Sequence, residues 1–346
     1  MTSPLRVGIV GASGYGGGEL LRLLLQHPKV EVALATSNKF AGKNVRAAHP
    51  NLRGVDLTFA THDAAETTDL DALFLAGPHG TSAPKIRAYL KTARRVFDLA
   101  ADHRLADASQ YPRFYEGWTH PDPELLSERV YGIAEFHREK IRSARLVAGA
   151  GCIATSAAFA LRPLARRGLI DPDHVVVDSK IGSSAAGAEH SPGSHHPERS
   201  GAVRPYSPAG HRHTAEIQQE TGVKVSLSAH AVELVRGILS TCHVWLKEDL
   251  DEKAIWKVFR EDYGAEPMVQ IVKERSGLYR LPEPKLVIGT NNVAVGFERD
   301  PLSKRLVVLS AIDNLVRGTA GAAVQNMNVA FGYPETEGLP RFALHP

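Results

Sequence analysis

The chain has 346 residues, 43% of them hydrophobic and 23% charged, with 41 Lys and Arg against 38 Asp and Glu and a formal net charge of +3. That length exceeds one simple core and predicts two domains, and the near balance of charge, with no basic stripe carrying interleaved aromatics, argues against nucleic-acid binding. No apolar run reaches the roughly 18–20 residues of a membrane span, the first residues lead into a strand without a secretory signal, and two Cys make no disulfide framework, so a soluble cytoplasmic protein is expected.

Leu5–Val10 reads as a buried strand, followed by the glycine turn Gly11-Ala12-Ser13-Gly14-Tyr15-Gly16-Gly17-Gly18. A helix is predicted over 19–27, ended by Pro28, and a second strand over Val30–Ala35. This βαβ unit implies a parallel sheet. Further strands are predicted at 72–76, 95–99 and 145–148, with a helix over 82–91, which makes the first domain, 1–151, a doubly wound Rossmann domain. Gly11, Gly14 and Gly17 space the turn as G-x-x-G-x-x-G, where the backbone can approach a pyrophosphate at a helix N-terminus. An NAD site usually has a carboxylate at the end of the second strand. Here Thr36, Ser37, Asn38 and Lys39 supply hydroxyls, an amide and an ammonium instead, which suit the 2′-phosphate of NADP.

Cys152 follows the strand at 145–148 and opens a helix predicted over 153–167, with Gly149, Ala150 and Gly151 before it. Small neighbours leave the sulfur accessible, and a helix N-terminus favours its thiolate, the nucleophilic form. Cys242 lies in a β-like run and is expected to be structural. Beyond 167 the strands lengthen and alternate, at 174–180, 224–229, 237–247, 286–298 and 305–311, with Glu252–Tyr263 as the strong helix among them. Strands grouped in this way predict a mixed or antiparallel sheet in a second, α+β domain over 152–313. A last apolar helix over 314–331 has the pattern to pack back on the first domain, as part of a segment 314–346. The stretch 182–212, rich in Gly, Ser, His and Pro, is a long loop of functional or disordered character.

Gly210-His211-Arg212-His213-Thr214-Ala215-Glu216 supplies two imidazoles, a guanidinium and a carboxylate within seven residues. A thiol nucleophile needs a base, and a developing oxyanion or phosphate needs positive donors. His-x-His also suits zinc, with His190, His195 and His196 nearby, but a metal site would give Cys152 and the glycine turn no task, and no metal is assigned.

These blocks resemble the N-acetyl-γ-glutamyl-phosphate reductase family, of the semialdehyde dehydrogenase type. Besides the glycine turn, Gly151-Cys152 and the His-Arg-His segment, the resemblance includes Asp98-Leu99-Ala100-Ala101-Asp102-His103-Arg104-Leu105, Val130-Tyr131-Gly132-Ile133-Ala134-Glu135 and Asp313-Asn314-Leu315-Val316-Arg317-Gly318. The arginine-pathway members read Gly-Cys-Tyr-Pro-Thr where this chain reads Gly151-Cys152-Ile153-Ala154-Thr155, and the loop from Ser183 to Pro208 also departs from them. Both features look like the lysine-pathway branch, which reduces an aminoadipyl 6-phosphate held on the small acidic carrier protein LysW. The resemblance implies a Rossmann domain with a catalytic and dimerisation domain, and a homodimer or homotetramer. It implies Cys152 as nucleophile; His213 is then expected as acid and base, His211 and Arg212 at the phosphate or oxyanion, and Glu216 either orienting an imidazole or serving only as a local helix-start residue. Ser13, Gly14, Tyr15, Gly16, Ser37, Asn38, Lys39 and Asn314 would contact the cofactor, and Ser184, Arg199 and Arg204 the substrate or its carrier. Three readings stay open: this carrier-linked reductase, the arginine-pathway enzyme or an enzyme of both roles, and a zinc hydrolase or NADP-sensing regulator.

Overall fold

Runs of Val, Leu, Ile and Ala bounded by turn residues build the first sheet of the computed structural model, which describes residues 3–345. Its strands are Leu5–Val10 (β1), Val30–Ala35 (β2), Leu70–Leu75 (β3), Ala93–Asp98 (β4), Arg129–Gly132 (β5) and Leu146–Gly149 (β6). All pair in parallel, in the order β2-β1-β3-β4-β6-β5. The helices are Tyr15–Leu24 (α1), Ile86–Thr92 (α2), the single turn Tyr111–Phe114 (α3) and Ala134–Ser143 (α4). The unbroken burial of Ala72–Leu75 and Val96–Asp98 is what a parallel sheet covered on both faces requires. Neighbour order reverses between β1 and β3, and in such sheets ligands bind outside the strand C-termini at that switch.

Helix α1 starts at Tyr15, four residues before the expected start at 19. Three glycines in its first turns weaken the helix signal in the sequence, but packing demands them: a Cβ on Gly17 would stand 2.5 Å from the Gly11 carbonyl oxygen. Strand β5 and helix α4 were not expected; β5 has only four residues, too few for a periodicity.

The Asp98–Leu105 block fixes the C-terminal edge of this sheet. Buried Asp102 accepts the N–H groups of Gly80, Ser82 and Ala83 at 2.6, 3.1 and 2.9 Å and His79 Nδ1 at 2.8 Å. Burial opposes its ionisation, but the donors from His79, Ala83, Gly80 and Ser82 outweigh it and hold the carboxyl well below the usual carboxylate range. Asp98 accepts Ser82 Oγ at 2.8 Å and pairs with His103 Nδ1 at 2.5 Å, tying the ends of β3 and β4. Arg104 donates from Nε to Gly149 O at 2.9 Å and from Nη2 to Leu99 O at 3.0 Å, tying β4 to β6.

The second unit is built on seven strands: Ile170–Ile181 (β7), Arg204–Ser207 (β8), Val225–Ala231 (β9), Ile238–Leu246 (β10), Val269–Ile271 (β11), Val293–Arg299 (β12) and Arg305–Ile312 (β13). They form one mixed sheet in the order β11-β12-β13-β10-β7-β9-β8. Its helices are Cys152–Ala165 (α5), the turn His196–Arg199 (α6), His213–Thr221 (α7) and Glu252–Tyr263 (α8). Strict alternation in β10 buries Ile238, Ser240, Cys242, Val244 and Leu246 on one face, and α5 packs there, with Ser156 Oγ donating to Ser310 O at 3.1 Å. Burial of Ile153, Phe159, Leu161 and Leu164 on α5 contributes about 1.5–3 kcal/mol each. Cys242 is wholly buried, which pushes its thiol up to about 12 and leaves it inert.

The loop 182–212 contains 3-10 turns, α6 and β8, and is not structureless. The apolar segment expected as one helix over 314–331 divides into a π-helical turn, Val316–Ala320, and the helix Gly321–Phe331 (α9). Residues up to Ala150 together with Thr319–Leu339 form the first unit, where α9 packs on α1 and α4; Gly151–Gly318 and the residues from Pro340 form the second. Among the described residues no helix is long and apolar enough to cross a membrane.

Replacing Asp102 by Ala leaves four donors buried without their acceptor, a change worth about 3 kcal/mol. Urea unfolding of Asp102→Ala should show a midpoint lowered accordingly with an unchanged slope. An unshifted midpoint would mean that the carboxylate does not hold this edge.

Candidate active site

Chain geometry at the start of α5 is set by the residues on either side of Cys152. Gly151 is the N-cap, extended at φ −65° and ψ 141°, and brings no side chain to cover the first free N–H groups of the helix. Its own N–H donates to Glu216 Oε2 at 2.8 Å. A Cβ at this position would stand 2.5 Å from His213 Nε2 and 2.7 Å from Glu216 Oε1, so only glycine admits the first turn of α7 here. His213 Nε2 lies 3.8 Å from Glu216 Oε1, with both side chains buried. Cys152 itself is half-buried and in no disulfide. Across from it, a Cβ on Gly318 would stand 2.6 Å from Cys152 Cβ.

The sequence places His211, Arg212, His213 and Glu216 together, with a helix start at Glu216 as one of its two readings, and the structure opens the helix α7 at His213. His211 Nδ1 accepts the His213 N–H, the first of α7, at 3.1 Å, while the two rings sit 4.7 Å apart. Burial, and then the charge of Arg212, pushes His211 down to about 4. At neutral pH it is therefore an uncharged ring with its proton on Nε2. Arg212 beside it is exposed. Tyr206 Oη lies 3.4 Å from His211 Nε2. Although Tyr206 is 47% exposed, desolvation around its hydroxyl, and then the charge of Cys152, pushes that group up, so it stays protonated at neutral pH. Tyr206 was missed as a site residue, although it is the only Tyr, Phe or Trp between 182 and 212. Among the described residues no group of three or more His, Cys, Asp or Glu side chains is placed to hold a metal ion.

Ser184 and Asn314 come together, but with each other: Asn314 Nδ2 donates to Ser184 Oγ at 2.9 Å and Asn314 Oδ1 accepts the Gly237 N–H at 2.7 Å. The amide expected at the cofactor is thus engaged in bracing the second unit. Arg199 donates from Nη2 to Ile181 O and Val232 O at 3.1 and 2.6 Å, a strut between loop and sheet rather than an offered surface charge. Arg204 donates from Nη2 to Glu198 O and from Nη1 to Gly193 O at 3.4 Å, within the loop.

In the first unit, Gly11 takes φ +79°, and a Cβ there would meet Ala76 O at 2.9 Å. Gly14 is the extended N-cap of α1 with no side-chain cap, so the first-turn N–H groups are left to a ligand, and Tyr15 beside them is 48% exposed. Ser13 Oγ and Ser37 Oγ bond at 2.7 Å. Asn38 and Lys39 are exposed, whereas Thr36 is buried and bonded to His62 Nδ1 at 2.7 Å, which removes it from direct contact. An uncapped glycine-lined helix start and a β2 end without a carboxylate fit a dinucleotide bearing a 2′-phosphate.

His211 binds its proton more weakly when folded than the usual imidazole near 6.5. The unfolded chain takes up the proton first as pH falls, so this site favours the fold above about 6.5 and that contribution is lost toward 4. His211→Asn keeps an acceptor for the α7 N-terminus but removes the titration. Its Tm should fall less than that of the wild type between pH 7 and pH 4.5; parallel curves would sink this assignment.

The semialdehyde dehydrogenase NAD binding domain model matches residues 6–144, and the semialdehyde dehydrogenase dimerisation domain model matches residues 152–314. A Deinococcus radiodurans protein named LysW-L-2-aminoadipate 6-phosphate reductase is 48% identical, over 100% of this chain and 99% of its own. A Thermomicrobium roseum protein provisionally given the same name is 52% identical over 98% of this chain and 99% of its own. A Cenarchaeum symbiosum protein, 48% identical over 99% of this chain and 100% of its own, is provisionally named for both LysW-L-2-aminoadipate and LysW-L-glutamate phosphate reduction. The fold is that of aspartate semialdehyde dehydrogenase II from Vibrio cholerae, at a TM-score of 0.70 and 14% identity, covering 96% of this chain and 99% of that one. The Candida albicans aspartate semialdehyde dehydrogenase with NADP aligns at a TM-score of 0.68 and 15% identity, over 94% of this chain and 98% of that one. The chain belongs to the semialdehyde dehydrogenase family, in a branch whose members carry phosphate-reductase names.

Proposed function

We propose that this chain reduces an acyl phosphate to a semialdehyde with NADPH through a thioester on Cys152, and that the substrate is an aminoadipyl 6-phosphate carried by LysW in lysine biosynthesis. The observation that carries this reading is the placement of Cys152 at the uncapped start of α5, one residue from the point where His213 and Glu216 meet Gly151.

His213 takes the thiol proton as sulfur attacks the carbonyl carbon, and Glu216 supplies the counter-charge to the imidazolium. The first-turn N–H groups of α5 and the protonated Tyr206 hydroxyl are the donors that would meet the developing oxyanion. Phosphate leaves, held by Arg212, and takes up the one proton the overall reaction consumes. Bound NADPH supplies a hydride to the thioester carbon. When the C–S bond breaks, His213 returns its proton to the sulfur and Cys152 is regenerated. Gly11, Ser13, Gly14 and Gly16 would hold the pyrophosphate, with Ser37, Asn38 and Lys39 at the 2′-phosphate. The dimerisation domain supports a homodimer, and two thiols outside any disulfide support a cytoplasmic setting.

Cys152→Ala should abolish both phosphate release and NADPH oxidation in a single turnover while leaving the NADPH Kd within about threefold. Cys152→Ser should lose several orders of rate, because an alkoxide is scarce at pH 7. Near-wild-type turnover of Cys152→Ala would end the thioester scheme.

The double name of the Cenarchaeum relative favours a second reading, in which the LysW-linked glutamyl phosphate is reduced as well. Either carrier-linked substrate should turn over with a KM that rises as salt increases from 50 to 300 mM, since attraction to an acidic carrier is screened. Full activity on free N-acetyl-γ-glutamyl phosphate, with no response to the carrier, would point to the arginine pathway instead.

A further inference from the structure

Asp313 controls both ends of a short segment that no step above uses. Its buried carboxylate accepts Leu315 N–H and Val316 N–H on Oδ1 at 2.7 and 3.1 Å. On Oδ2 it accepts Gly289 N–H at 2.8 Å and faces Arg236 Nη1 at 3.5 Å. Its backbone oxygen accepts the Gly318 N–H at 2.9 Å, a bond that spans five residues. One residue thus gathers the start of the segment with its side chain and closes it with its carbonyl, at the entry to the π-helical turn Val316–Ala320. Turns of this kind are uncommon and cost more than continuing an α-helix, so they persist where a side chain or backbone must be placed off the helical path. What this one places is Gly318, whose missing Cβ would stand 2.6 Å from Cys152 Cβ and 3.2 Å from Cys152 Cα.

We propose that the turn is a positioning device for the nucleophile: Gly318 is the floor on which Cys152 rests, and Asp313 holds that floor in place. The proposal rests on the reading of Cys152 as nucleophile and adds two residues to it. A methyl group at 318 must displace Cys152 by about 1 Å to reach ordinary contact, and a misplacement of that size costs on the order of 100-fold in rate. Asp313→Asn keeps the size of the side chain but turns an NH2 group toward donors that need an acceptor, which loosens the same floor from below.

The test measures kcat and KM for the carrier-linked acyl phosphate, the NADPH Kd, and the rate at which iodoacetamide modifies Cys152, located by peptide mapping. Gly318→Ala should lower kcat about 100-fold, with KM and the NADPH Kd within threefold, and should change the alkylation rate at Cys152 at least fivefold. Asp313→Asn should lower kcat at least tenfold with the same split, and it serves as the test if Gly318→Ala does not fold. A kcat within threefold of the wild type in a folded variant overturns the proposal, as does a loss accounted for by KM or by NADPH binding. A Cys152→Ala enzyme that still turns over would instead overturn the nucleophile itself, while the alkylation rates would still report whether the floor positions the thiol.

Discussion

Close backbone approach around Cys152 is the constraint on which the rest of the site depends. The start of α5 is narrow because Glu216 must accept the Gly151 N–H while His213 lies over the same residue. A side chain at Gly151 would separate the imidazole from the turn that carries the thiol. Neither Gly151, at φ −65°, nor Gly318 is held by an unusual backbone angle. Their requirement is steric, unlike that of Gly11, whose φ of +79° independently disfavours a side chain. Glycine therefore serves two separate ends in one chain: conformational freedom at the dinucleotide turn and sheer closeness at the nucleophile.

The charged groups buried near the first sheet's C-terminal edge follow from the same need for order where ligands bind. Burying Asp98, Asp102 and His103 costs desolvation that apolar residues would avoid. In return, every hydrogen bond they make is directional, and most run to backbone of the loops that leave β3 and β4. A carboxylate that accepts four donors fixes those loops more tightly than a packed Leu could, since dispersion has no preferred angle. Arg104 extends the same logic to Gly149, from which the chain continues to Cys152.

Much of this was legible in the sequence for a physical reason. The β1–glycine turn–β2 unit and helix Glu252–Tyr263 follow from local periodicity, which survives folding unchanged. Cys152 and the His-Arg-His segment were picked out as candidates by residue type. What escaped depends on tertiary contact. α7 begins with residues of modest helix preference, and its first N–H is taken by His211, which lies one residue before the N-cap Arg212. The π-turn at Val316–Ala320 could not be read from an apolar pattern that runs on without a break. Asn314 was expected at the cofactor by resemblance, and Arg199 at an acidic carrier or substrate carboxylate as a charge on the loop. Their partners are carbonyl, hydroxyl and N–H groups 18 to 130 residues away, which no local window contains.

Two imidazoles two residues apart show how environment, more than residue type, assigns a role. His211 has Arg212 and a buried setting, so it remains neutral and its lone pair goes to the α7 N-terminus. His213 faces a buried carboxylate at 3.8 Å. A proton arriving at His211 meets the positive charge of Arg212 and must break the bond to the His213 N–H. In the scheme proposed above, that difference selects His213 as the ring that exchanges a proton with sulfur. In that scheme His211 has a positioning part: it holds the His213 N–H at the helix start, and a base held in place can meet the thiol when substrate arrives.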